Sequence, residues 1–132
     1  IIEKEKKIMS NNNFKSALME FCDKLTEDSK DYISRFEFIH DVVFRPSGGR
    51  KYVKVKYFET RIQTDYETGK TKVLTDNNGS IHCFVDVENG DVYKPAGWRA
   101  PYLKGNNPVR ANIFDKSTFK KTDMHGGWLY HR

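Results

Sequence analysis

Cysteine is scarce: Cys22 and Cys83 are the only two in 132 residues, and no Cys-x-x-Cys spacing occurs. That excludes a disulfide framework, and both thiols are expected to be buried. Histidine is sparse as well. His40, His82, His125 and His131 are scattered, with no i,i+4 pair and no cysteine at zinc spacing, so no metal is expected. Long apolar runs are missing; segments such as Val42-Val43-Phe44 are too short to cross a membrane. The opening Ile1-Ile2-Glu3-Lys4-Glu5-Lys6-Lys7 is charged with no apolar run behind it, so no secretory signal is read there. A soluble, cytoplasmic protein is the expectation.

The usual catalytic signatures are absent too. Neither Gly-x-Ser-x-Gly nor an activated Cys–His context occurs, and Gly48-Gly49-Arg50-Lys51 is not a P-loop. Asp91 and Lys94 are three apart and would point to opposite faces of a strand, which rules out a metal-nuclease strand. Asp86, Glu88 and Asp91 read instead as turn residues. No catalytic residue, metal or cofactor is expected.

What the chain does have is 37% hydrophobic, 31% charged and 14% aromatic residues, a composition that folds as one domain. Its net charge of +5 favours anionic partners: nucleic acids, nucleotides or an acidic protein face. Met9-Ser10 looks like a start, and a chain beginning there would still carry +4. Residues 1–10 are therefore set aside as an extension, and 11–132 are read as a single α+β domain.

From Asn11 to about Phe36, the residues Phe14, Leu18, Phe21, Leu25, Tyr32, Ile33 and Phe36 form one apolar stripe at helical spacing. Asn11 to Asn13 offer N-cap oxygens. A gap at Thr26–Asp31 leaves open one long helix or two. The period then changes to two, through Phe38, His40, Val42 and Phe44. Strands follow at about 51–63, with Val53, Val55 and Tyr57 opposite Lys54, Lys56 and Phe58, and at 72–75, 81–87 and 91–94. Asn89-Gly90 suggests a type I′ hairpin turn. The fold class is thus a helix packed on an antiparallel β-meander, followed by a long irregular C-terminal loop. Gly127-Trp128-Leu129-Tyr130 reads as a last strand or an anchored tail.

The irregular stretch after Lys94 carries three of the four prolines together with Trp98, Arg99, Tyr102 and Arg110. Such segments in small domains are usually functional or disordered, and the aromatics favour function. Tyr93, Trp98 and Tyr102 can stack on a base, while Lys94, Arg99, Lys104 and Arg110 can pair with phosphates. A capping role of Trp98 and Tyr93 over the sheet competes with this reading.

Three segments carry a family likeness: His82-Cys83-Phe84-Val85-Asp86, the run Asn89 to Pro101 centred on Lys94-Pro95-Ala96-Gly97-Trp98-Arg99, and Val109-Arg110-Ala111-Asn112-Ile113-Phe114-Asp115. They resemble a group of small phage-encoded proteins and, within it, the first-described anti-Thoeris sponge proteins. The chain departs from that pattern at Ala111, where glycine is common, and in a longer link from Tyr102 to Pro108. The resemblance implies a non-enzymatic phage anti-defence protein that sequesters a cyclic nucleotide, a cyclic ADP-ribose isomer made by TIR-domain enzymes. It also implies a homodimer or larger assembly in the infected host's cytoplasm. Phe84 would stack on the adenine and Arg110 would hold a phosphate, with Lys94 and Arg99 nearby. The candidate ligand-binding residues are therefore Phe84, Tyr93, Lys94, Trp98, Arg99, Arg110 and Asn112. The alternatives are a small nucleic-acid-binding module, which Lys51, Lys54 and Lys56 would also serve, and an inhibitor that binds a host protein directly.

Overall fold

The computed structural model describes residues 2–130, with side chains from Asn13 onward. Helix α1 spans Ile2–Ser34 as one element. Phe14, Leu18, Phe21, Cys22 and Leu25 are its buried stripe. The gap in that stripe does not break the helix. It contains no glycine or proline, and Lys24–Asp28, Lys30–Glu27 and Arg35–Asp31 pair at i,i+3 and i,i+4 across it. Asn11 to Asn13 lie inside the helix rather than capping it, because helical backbone already runs through the Glu/Lys-rich segment before them.

Among the described residues six antiparallel strands follow: β1 Ile39–Ser47, β2 Tyr52–Thr64, β3 Thr71–Thr75, β4 Ser80–Asp86, β5 Asp91–Tyr93 and β6 Ala111–Asn112. Their order is β1-β2-β4-β5-β6, and β3 pairs only with β2. Strand β2 seats β4 along Tyr52–Tyr57 and β3 along Thr60–Thr64, so β2 and β3 run on as an arm that β1 shares as far as Arg61. Helix α1 covers one sheet face, burying Val42, Phe44, Val53, Val55, Cys83, Val85 and Val92. Among its described residues, the C-terminal segment adds no strand. A short helix α2, Thr118–Lys121, leads to a 3-10 turn at Gly127–Leu129 that plugs Trp128 and Leu129 into this core. Phe21 meets the Trp128 ring edge-on at 6.1 Å. The tail is anchored by packing.

One irregularity places side chains that alternation alone would misplace. Opposite β2, the register slips by one residue: Val55 faces Cys83, but Lys56 faces Ile81. His82 is the extra residue of this bulge, which lets His82 and Cys83 both turn into the core. Burial holds the Cys22 thiol up at about 12 and Cys83 higher than usual, which keeps both protonated. On the free edge of β1, the Phe44 N–H donates to Thr26 Oγ1 at 3.0 Å, and Pro46 has no N–H to offer. That edge is protected from strand addition.

The turn from β4 to β5 is not type I′. Asn89 keeps a negative φ, and only Gly90 is left-handed, at +80°. The loop closes instead through Gly90 N–H to the Asp86 carbonyl at 2.8 Å, while Asp86 Oδ1 accepts from Glu88 N–H. A Cβ at Gly90 would lie 2.8 Å from the Phe114 ring and 2.9 Å from Ile113. Gly90→Ala therefore combines a strained φ with a steric clash and should cost about 2 kcal/mol or more. Urea unfolding checks this, and an unchanged midpoint would contradict the packing of Phe114 on this turn.

Candidate anion-binding site

The segment after β5 stays irregular from Leu103 to Arg110, as expected, but it opens with a pinned hairpin over Lys94–Tyr102. Tyr102 N–H donates to the Lys94 carbonyl at 2.9 Å, Ala96 N–H to Ala100 at 3.0 Å, and Pro95 bridges Pro101. Prolines limit this hairpin to isolated rungs, which is why its period was invisible. The root of the hairpin sets Lys94 beside Tyr102. Lys94 Nζ stands 4.5 Å from the Tyr102 ring centroid and 4.8 Å from that of Tyr130. The tip carries Trp98 to the ammonium groups of Lys54 and Lys56, 5.2 and 4.8 Å from its ring.

Arg110 completes the root. Its N–H is fixed to the Val92 carbonyl at 2.7 Å, and its own carbonyl accepts from Lys121 Nζ at 3.1 Å. Its Nε is buried and has no hydrogen-bond partner among the described residues. Lys94, Tyr102, Lys104, Gly105, Asn106, Asn107 and Arg110 line a cleft of about 460 Å³, within the range of small-ligand sites. Gly105, at φ +88°, lets the far wall turn. No carboxylate lines the cleft, and none of its three cations forms a salt bridge among the described residues. An unpaired buried guanidinium N–H costs free energy unless an acceptor arrives. Chemically, this is a wall of donors and positive charge suited to a phosphate.

The depressions beside the β2–β3 arm, about 480 and 880 Å³, are less suited to an anion. They are open surfaces where Glu59 and Arg61 neutralise each other, or where exposed turn residues such as Asp65, Glu67 and Lys70 mix charges.

The seven candidate residues do not converge. Lys94 and Arg110 share the cleft. Phe84 does not reach it: strand alternation puts it on the sheet face away from α1, paired with Lys54 and Tyr93, and it is 1% exposed. No ring face is free there to stack on an adenine. Tyr93 is also buried, edge-on to Tyr52 at 5.8 Å, which is the capping role. Trp98 is half exposed on that same outer side, and Arg99 is exposed at the hairpin tip, outside the cleft. Asn112 is a brace: its Nδ2 donates to the Asn89 carbonyl and Asp91 Oδ1, both at 2.9 Å, and its Oδ1 accepts from Phe114 N–H. Those bonds occupy the groups a ligand would need. Lys121 and Tyr130 went unread because long-range folding alone brings them to Lys94 and Arg110. Among the described residues, no group of histidines, cysteines and carboxylates is placed to hold a metal ion.

The sequence matches the profile of a family of unknown function, DUF7717, over residues 1–131, and the chain belongs to that family. The match includes residues 1–10, which the start-like Met9-Ser10 had set aside. No curated protein and no solved structure matches the chain.

Proposed function

We propose that this DUF7717 member is a non-enzymatic binder that holds a small nucleotide by its phosphates in the cleft between Lys94 and Arg110. The observation that carries the reading is the buried, unpartnered Nε of Arg110 in a wall that also presents Lys94 and Lys104 and no carboxylate. A donor kept out of water without an acceptor is preorganised for an anionic one. Tyr102 and the exposed ring of Tyr130, both against Lys94, take over the stacking role that Phe84 is too buried to fill.

The phage resemblance narrows the ligand to a cyclic ADP-ribose isomer made by TIR-domain enzymes, and the role to sequestration in the infected bacterium. A decoy must keep its ligand intact, so a cleft of donors and rings suits it. One side of the cleft is formed by exposed Lys104, Asn106 and Asn107. Tight binding therefore calls for closure by a second protomer, which makes a homodimer part of the reading. The protein incubated with cyclic ADP-ribose isomers and cyclic oligonucleotides, filtered and heated, should release one of them intact. An empty panel, or a cleaved product, would overturn the proposal.

A further inference from the structure

We propose that the sheet face opposite α1 is a binding surface for single-stranded nucleic acid, built from Lys54, Lys56 and Trp98. Lys54 and Lys56 alternate with the core residues Val53 and Val55, so both project from the outer face, roughly 7 Å apart along the strand. Each ammonium lies within cation–π distance of the Trp98 ring, and neither forms a salt bridge among the described residues. Trp98 is held by the tip of an ordered hairpin and is still 50% exposed, so ring surface remains open to solvent. An indole fixed in place costs little entropy when a base stacks on it.

The same face continues to Tyr52, where Lys51 Nζ stands 5.6 Å from the ring. The carboxylates beside Tyr52 and Tyr93 are engaged: Asp86 accepts from Glu88 N–H, and Asp91 accepts from Asn112, while exposed Asp41 lies at the far end of the face, opposite Thr60. Buried Phe84 and Tyr93 form the floor. Basic side chains interleaved with an open ring fit a strand whose bases are unstacked. A duplex would offer the lysines phosphates but would give the indole no free base. The surface is separate from the cleft, since neither Lys54, Lys56 nor Trp98 lines it.

Fluorescence anisotropy with a labelled 15-nucleotide oligothymidine, at several salt concentrations, tests this on the full chain. Binding should quench Trp98 emission, Trp98→Ala should weaken it at least about fivefold, and Lys54→Gln with Lys56→Gln should lower the log–log salt slope by about 1.4. Quenching in the unmutated protein keeps the test independent of how the variants fold. No binding at low salt overturns the proposal, as does equal affinity for a duplex of that length. Binding lost with Arg110→Met but kept with Trp98→Ala would place the oligonucleotide in the cleft, and would also overturn it.

Discussion

Arg110→Met should weaken nucleotide capture roughly 10- to 100-fold while leaving the melting temperature of the free protein unchanged or slightly higher. The two halves of that result come from one atom. In the free protein, Arg110 Nε is buried without an acceptor, so removing it relieves an unsatisfied donor. In the complex, the same group would give a charge-assisted hydrogen bond, worth about 1.5–3 kcal/mol. Arg110→Lys should recover only part of the affinity, because an ammonium restores charge but not the planar fork. Affinity by calorimetry and melting by scanning fluorimetry check both halves. A variant that loses stability in proportion to affinity would mark Arg110 as a scaffold residue.

Acid should destabilise the fold through His82. Its ring is buried at the bulge, and its Nε2 accepts from Trp128 Nε1–H at 3.1 Å. Indole nitrogen only donates, so Nε2 must be unprotonated and the ring proton sits on Nδ1. Burial lowers the imidazole from its ordinary 6.5 to about 4. Asp123, a hydrogen bond to the Met124 backbone and Asp28 oppose that shift, while His125 adds to it. Between those pH values the unfolded chain binds the proton and the folded one does not. Stability is therefore full above about 6.5 and falls as pH drops towards 4, by about 3 kcal/mol in all. His82→Gln keeps an acceptor for Trp128 without titrating, and should flatten this part of the profile. Urea midpoints measured at intervals from pH 7 to 4 decide it, and an undiminished slope in His82→Gln would assign the effect to other groups.

Much of the fold was legible because its core is periodic. The stripe from Phe14 to Leu25 and the alternation of Val53 and Val55 with Lys54 and Lys56 predict one helix face and one sheet face. What escaped the sequence came from local geometry that has no period. The bulge at His82 turns two neighbouring side chains the same way, and the proline-bearing hairpin after Lys94 makes only isolated rungs. Asn89-Gly90 suggested a two-residue turn, yet side-chain acceptors from Asp86 and Asn89 stabilise a longer loop. At the site, residue type identified Lys94 and Arg110 but could not separate them from Phe84 and Trp98. Lys94 and Trp98 are four residues apart yet lie at the root and the tip of one hairpin, and Phe84 sits on β4, on the sheet face away from α1.

If the cleft takes a nucleotide as proposed, Arg110 Nε is the atom that meets its phosphate. Nitrogen-15 NMR of the arginine side chains reads that atom directly, with its Nε–H signal assigned by its loss in Arg110→Lys. Titration with cyclic ADP-ribose and, separately, with inorganic pyrophosphate should shift the Arg110 signal and slow its exchange with water, while Arg99 at the hairpin tip stays unchanged. An Arg110 signal that does not move when either anion is saturating would contradict the account.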